Sequence, residues 1–463
     1  MKHVALVFRH GDRSPTFNAM EPLALESAVE AAAWTLSLPT KAFSAELERR
    51  FPVINHHALT RDEASLGRTF GSLTGLGVLQ MRRLGQWVSA RSENQLVPRR
   101  VLASNFRRTQ FSLQCFLAGI SRGNDQIPVV VAKDQQDTLN VWGTDPVLRK
   151  LLRSNGTLGA DIARTTPEED DARKVFMRAV PAFGFLIRPF SWISALDHFM
   201  CREGKTGGGG PLRGRSAPLK IAEIFQEMDF AQSGKLDVES FRIALDKVLQ
   251  SPFSGTAAAK SELDKFVKLI DKDGDGQIEF REMKSFFENI RLPAPSGGVS
   301  NEDFEKASKV IERAVCRRFD SILSQPSVRR ISAGSMAKNI ISGLDDALKE
   351  AKLKTRPKNG ATTIDLYSAH DVSLTPLLKH LGIWNGAKDQ WPGVAAALAF
   401  EMTADANGSN PKVKVLYWNG VRGSLSGLEP RVLGLEPVSV QLSVSEYEPV
   451  ADLEKFRSWA ARL

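Results

Sequence analysis

Apolar residues run unbroken from Val4 to Phe8 and give way at once to Arg9, His10, Gly11, Asp12 and Arg13. Five mostly β-prone residues in succession predict a buried strand, and the polar cluster then sits at its C-terminal end. The signature recurs at 364–369, IDLYSA, a second buried strand that closes on His370 and Asp371. VLASNF, residues 101–106, and IPVVVA, residues 127–132, read as further strands. The period turns helical in GVLQMRRLGQWVSAR, residues 77–91, where Leu79, Met81, Leu84 and Val88 fall near one face. Residues 145–203 and 301–350 read as mostly helical.

Two stretches rich in helix and strand breakers interrupt this order, GKTGGGGPLRGRSAP from Gly204 to Pro218 and PAPSGG from Pro293 to Gly298. They divide the chain into 1–203, an insert at 204–298 and a continuation at 299–463. Within the insert, DKDGDGQIEFRE (271–282) has the pattern of a twelve-residue EF-hand calcium loop. Hard oxygen ligands recur at Asp271, Asp273 and Asp275, and Gly276 allows the sharp turn. Gln277 offers its carbonyl, Glu279 a contact often made through water, and Glu282 bidentate closure. Helically spaced apolar residues flank the loop, with Leu263, Phe266, Val267 and Ile270 before it and Met283, Phe286 and Phe287 after it. Upstream, DFAQSGKLDVES (229–240) has the form of a mate, preceded by Ile221, Ile224, Phe225 and Met228. There Ala231 and Ser240 replace two ligands, so it reads as a structural partner with too few oxygens for ordinary calcium affinity.

At 463 residues and 42% hydrophobic content, the chain is long enough for two or three domains. Its net charge of +9 favours anionic partners. No basic run is interleaved with aromatics, which argues against a single-strand nucleic-acid groove; phosphorylated small molecules fit better, with an anionic membrane surface as a further candidate. Cys115, Cys201 and Cys316 lie far apart with no CxxC, as expected in a reducing compartment. Three residues before the first strand are too few for a signal peptide, and no apolar run reaches membrane-spanning length. A soluble cytoplasmic protein is expected, with a mitochondrial address open should the natural N-terminus be longer.

Guanidinium groups capture phosphate oxygens in pairs. Two of them beside an imidazole would neutralise a dianion and align its phosphorus for attack by a neutral ring nitrogen. Gly11 would let the backbone close against that anion. RHGDRSP indeed resembles the RHGxRxP signature of the histidine acid phosphatases, branch 2 of the histidine phosphatase superfamily. Three more segments resemble that family's in order: GSLTGLGVLQMRRLGQWVSAR (71–91), FRRTQFSLQCFLAGI (106–120) and YSAHDVSLTPLLKHLGI (367–383). With WPGVAAALAFEM and KVLYWNG downstream, the chain looks most similar to the lysophosphatidic acid phosphatase type 6 subgroup.

The resemblance implies an α/β histidine-phosphatase core built from both ends of the chain, a helical cap from its middle and an inserted all-α EF-hand module. It implies a phosphomonoesterase in which His10 becomes phosphohistidine and Arg9, Arg13, Arg108 and His370 hold phosphate oxygens. Asp371 would donate the leaving-group proton, with its pKa raised by the bound phosphate. No metal is needed for this chemistry; calcium would regulate or stabilise. Leu102, Ala103 and Ser104 depart from the family's pattern and leave the secondary contacts there open, and Arg107 competes with Arg108. Asp12 stays outside the core site, and His56, His57, His198 and His380 read as ordinary surface or core histidines. Two other readings remain, an inactive calcium-responsive binding protein and a phosphomutase-like transferase.

Overall fold

A computed structural model describes residues 2–21, 23–55, 69–92, 95–121, 126–131, 137–154, 165–185, 190–202, 221–222, 225–226, 229, 233–239, 241, 264, 267–289, 292–293, 295–353, 361–386, 391–405, 408–420, 438–439 and 450–460. Its strands are β1 (Lys2–Arg9), β2 (Val53–Asn55), β3 (Leu96–Ala103), β4 (Val129–Val131), β5 (Lys235–Asp237), β6 (Gln277–Glu279), β7 (Thr362–Ala369), β8 (Ala397–Thr403), β9 (Lys412–Trp418), β10 (Val438–Ser439) and β11 (Val450–Asp452). All but β5 and β6 form one sheet in the order β10-β9-β8-β1-β7-β3-β4-β2, with β11 also paired to β9. β1 runs parallel to β7, and β7, β3, β4 and β2 are parallel to one another; β8 is antiparallel to β1.

The unbroken apolar runs follow from two-sided burial. Val4, Leu6 and Phe8 enter one core with the helices Gly75–Arg91 and Arg107–Ile120, while Ala5 and Val7 enter the other. β7 divides likewise, Ile364 and Leu366 to the first core, Tyr367 and Ala369 to the second. That second core extends through the long helix Pro326–Lys352 and the helix Asp371–His380. It continues into a layer made by Pro167–Ala179, Trp192–Arg202 and Asn301–Ser324.

In the Gly75–Arg91 helix Met81, Leu84 and Val88 are buried as expected, but Leu79 is 44% exposed. Gln80 is buried beside it, because its Oε1 accepts the N–H of Asp12 at 2.8 Å. Gly11 also meets a packing demand. A Cβ there would lie 2.6 Å from the carbonyl oxygen of Gly77, so its missing side chain serves the crossing of this helix over the RHGDRSP loop.

The insert forms a third core. Ile221, Phe225, Val267, Ile270 and Met283 are buried together, and Leu236 of β5 faces Ile278 of β6 across a two-stranded sheet that joins the two loops. The core is shared with the helix Ala24–Ser37 through Ala33 and Trp34, and with Cys201. Linkers of this composition could leave a module tethered or docked; here it is docked. Of the two linkers, 204–218 lies outside the described residues. The other is held rather than loose, since Ser296 donates to the carbonyls of Ala179 (3.0 Å) and Arg178 (2.7 Å). Ile224, Met228, Ala231, Ser240, Leu263 and Phe266 also lie outside the described residues.

Candidate active site and calcium loop

Sheet register brings the chemistry-bearing residues together. Arg9 of β1 sits opposite Ala369 of β7, and Ala103 of β3 opposite Ser368, so three parallel strands end side by side. The next residues are His10 and Asp371's neighbour His370 on two of them, and Ser104 leading to Arg108 on the third. Ligand sites in such sheets lie beyond the carboxyl ends of the strands. A cleft of about 230 Å³ opens there, lined by His10, Arg13, Arg108, His370 and Asp371 among others.

His10 Nδ1 lies 2.9 Å from the carbonyl oxygen of Gly11. A carbonyl only accepts, so Nδ1 carries the proton and Nε2 keeps its lone pair. Burial, then the positive fields of Arg108, Arg9 and Arg13, hold the His10 pKa well below the usual histidine value of 6.5. His370 meets His10 edge to face, ring centroids 5.7 Å apart. Its pKa is depressed too, by burial and then Arg108, with Asp371 opposing. Ser104 Oγ lies 2.8 Å from His370 Nε2, so the departure from the family pattern at this position places a hydroxyl against the second histidine.

The arginines are held by separate partners. Arg9 donates from Nη1 to the carbonyl of Pro392 at 2.6 Å and pairs through Nη2 with Asp371 Oδ2 at 2.9 Å. Arg13 pairs with Asp197 and donates to the carbonyl of Ser14 at 2.8 Å. Burial works against its charge, but the Asp197 carboxylate more than offsets this and raises its pKa. Arg108 stacks over Phe106, 4.3 Å from the ring centroid, and lines the cleft. Arg107 points elsewhere and pairs with Glu48 on the helix Lys41–Arg50. Asp12 accepts from Thr74 Oγ1 at 2.5 Å, which ties the loop to the Gly75–Arg91 helix.

Asp371 has a depressed pKa here, while its expected rise concerns the site with phosphate bound. Burial pushes its carboxyl up, yet Arg9, the indole N–H of Trp391 at 2.9 Å and the Val372 N–H at 2.8 Å pull it below the usual carboxylate range. Asp197 has no mark of its own in the sequence, whereas Trp391 opens the WPGVAAALAFEM segment and Ser104 stands among the departures from the family's pattern. His198 is a core histidine, caged by Phe17, Phe176 and Phe183. His380 ends the helix Asp371–His380. His56 and His57 lie outside the described residues.

In the loop at 271–282, carboxylate oxygens of Asp271, Asp273 and Asp275 lie within 4.8 Å of one another. Gly274 and Gly276 have φ of +71° and +76°, which L side chains rarely adopt, and their N–H groups donate to Asp271 at 2.8 and 3.2 Å. Glu282 accepts the N–H groups of Lys272 (3.0 Å) and Glu279 (3.1 Å), which folds the twelfth position back over the loop. Hard oxygens clustered on a pre-curved backbone fit a calcium ion. The upstream loop differs in that Asp229 accepts the N–H groups of Ser233 (2.9 Å) and Gly234 (2.7 Å), while Lys235 extends to Glu279 at 3.0 Å.

Residues 1–170 match the histidine phosphatase superfamily (branch 2), and residues 219–288 match the EF-hand domain pair. Rat protein S100-G is 28% identical over 76 residues, 16% of this chain and 94% of that protein. Among solved structures, the phytase from Citrobacter braakii is 15% identical with a TM-score of 0.41, covering 99% of this chain and 96% of that one. Hafnia alvei phytase in complex with myo-inositol hexakis sulphate is 14% identical with a TM-score of 0.43, covering 100% and 96%. Bifidobacterium longum multiple inositol polyphosphate phosphatase, in complex with phosphate, is 14% identical with a TM-score of 0.39, covering 99% and 92%. Residues 1–170 therefore carry the sequence of the histidine phosphatase superfamily (branch 2), a match that supports a phosphatase enzyme. The chain also carries an EF-hand pair, a calcium-binding module. Among the described residues no helix is long and apolar enough to cross a membrane.

Proposed function

We propose that the chain hydrolyses phosphate monoesters through a phosphohistidine on His10, with lysophosphatidic acid as the substrate class and calcium bound at 271–282. The observation that carries this is the His10 tautomer. With Nδ1 donating to Gly11, the Nε2 lone pair is available inside a ring of three guanidiniums. Phosphoryl transfer needs positioning and charge stabilisation more than base catalysis.

Arg9, Arg13, Arg108 and His370 hold the three non-bridging oxygens. His10 Nε2 attacks phosphorus, the bond to the ester oxygen breaks, and Asp371 gives that oxygen its proton. Water then attacks the phosphohistidine while Asp371 takes a proton from it, which releases inorganic phosphate and returns neutral His10. Bound phosphate draws Arg9 from Asp371 and adds like charge beside it, and both effects raise the carboxyl pKa.

Phe106, Ile193, Leu196, Met200, Val372 and Trp391 give the cleft apolar walls, which support a monoester with an apolar leaving group. Asp197 and Asp371 add two carboxylates that would repel a substrate bearing several phosphates. Asp271, Asp273, Asp275, Gln277, Glu279 and Glu282 hold the calcium, which supplies charge neutralisation and order within the module. The boundaries 1–203, 204–298 and 299–463 describe phosphatase, module and phosphatase again. Three buried cysteines, none joined in a disulfide, support a reducing, cytoplasmic setting.

Phosphate release from short-chain lysophosphatidate and from inositol hexakisphosphate at equal concentration, with calcium and with chelator, tests this reading. Faster release from the lysolipid is expected. The reverse order would overturn the substrate class, and no release from either substrate, or from a generic aryl phosphate, would overturn the activity.

A further inference from the structure

We propose that Asp197 is a positioning residue for Arg13, and that the helix carrying it, Trp192–Arg202, makes the phosphate site depend on the calcium module. This rests on the phosphatase reading of the site given above. The second half of the helix meets the cleft, where the Asp197 carboxylate pairs with Arg13 and Met200 Sδ lies 3.7 Å from Arg9 Nη1. Its last two residues enter the module. Cys201 is buried in the core made by Trp34, Ile278 and Met283, and Arg202 pairs with Glu30, both sealed from solvent.

Glu30 is the joint. Its Oε2 accepts the N–H groups of Ala19 (2.8 Å) and Met20 (3.0 Å), in the segment that leaves Arg13. Its Oε1 accepts the indole N–H of Trp34 at 3.2 Å, on the helix that covers the module. Arg202 also reaches the carbonyl of Pro293, where the second linker begins, at 3.3 Å. One buried carboxylate therefore ties together the segment after Arg13, the roof of the module and the helix that holds Arg13. On the calcium side, Glu282 precedes Met283, and Met283 packs in the core that contains Trp34 and Cys201. A cation drawing Glu282 into the loop is felt in that core, and a packed core shifts its elements as units rather than deforming smoothly. The Trp192–Arg202 helix is the element that meets both sites.

Asp197 limits where the Arg13 guanidinium can point, so its loss leaves the charge but not the aim. Asp197→Asn should lower kcat about tenfold, as expected of misplaced groups, with a much smaller change in KM. The decisive measurement is titration of the full chain with inorganic phosphate, with calcium and with chelator. In the wild type calcium should tighten phosphate binding by about fivefold or more. In Asp197→Asn, and in the double variant Glu30→Gln/Arg202→Met, calcium should bind as before while that tightening is lost. The double variant removes both buried charges together and leaves neither unpaired; if it does not fold, Asp197→Asn alone decides. Undiminished tightening in either folded variant, or no calcium effect on phosphate in the wild type, overturns the proposal. Phosphate release from p-nitrophenyl phosphate by the wild type judges the phosphatase reading separately.

Discussion

Asp371 Oδ2 lies 2.9 Å from Arg9 Nη2, so a proposed phosphate ligand forms an ion pair with the proposed proton donor, which lines the cleft. The pair keeps the carboxyl ionised until a phosphate competes for Arg9, which then favours the protonated form needed by a leaving alkoxide. Asp371→Asn should therefore slow alkyl phosphates about 100-fold or more, in the range of general acid catalysis. Nitrophenyl phosphate, whose leaving group needs no proton, should lose far less. Steady-state kcat/KM, which reports phosphoryl transfer to His10 and not the later hydrolysis, checks this over a series of leaving groups, and equal losses throughout would reject Asp371 as the acid.

The two adjacent arginines give a second test. Arg108 lines the cleft and Arg107 pairs with Glu48 outside it. Arg108→Ala should cost about 2 to 4 kcal/mol in kcat/KM, as removal of a transition-state donor does. Arg107→Ala should leave turnover near wild type and cost stability of about 0 to 1 kcal/mol, typical of a pair near the surface. A reversal of the two would shift the assignment by one residue.

Much of this was legible in the sequence because chemistry and fold share one signal. Apolar strands ending in Arg9-His10 and His370-Asp371 announce both the parallel sheet and its ligand edge. The glycine and carboxylate positions of 271–282 likewise announce a loop that needs those backbone angles. What stayed hidden depends on tertiary contact. Asp197 is one acid among several on helical segments until Arg13 is seen against it. Ser104 looked like a departure until His370 Nε2 was found 2.8 Å away. Gln80 took the buried place expected for Leu79 because Asp12 needed an acceptor. Glycine-rich linkers gave no sign that Trp34 would join the core of the module.

Acid should affect catalysis and stability differently. His10, His198 and His370 all have folded pKa values held well below 6.5, by burial first in each case. The unfolded chain then binds more protons than the folded one, so stability is full above pH 6.5 and declines as pH falls below it toward the folded values. Denaturant midpoints measured downward from neutral pH should fall below that point. The acid limb of kcat/KM should lie well below 6.5, because His10 stays neutral there. An apparent pKa near 6.5 in that limb would contradict the burial of the nucleophile.

Calcium should act on the whole chain, since its module shares a core with the Ala24–Ser37 helix. Calorimetry should give one ion per chain, and saturating calcium, at about 100 times its Kd, should stabilise the fold by about 2.7 kcal/mol. Glu282→Gln removes a bidentate carboxylate and should weaken binding sharply. Two ions per chain would contradict the reading of 229–240 as a mate closed on its own Asp229.

The central claim is that His10 Nε2 takes the phosphoryl group, and base-quenched trapping of the intermediate tests it most directly. Wild-type enzyme mixed rapidly with radiolabelled substrate and quenched in base should retain base-stable, acid-labile label on the peptide that contains His10. His10→Ala should retain none and release no phosphate, while Asp371→Asn should accumulate or retain the label longer. Label on a carboxylate or hydroxyl, or turnover persisting in His10→Ala, would contradict the account.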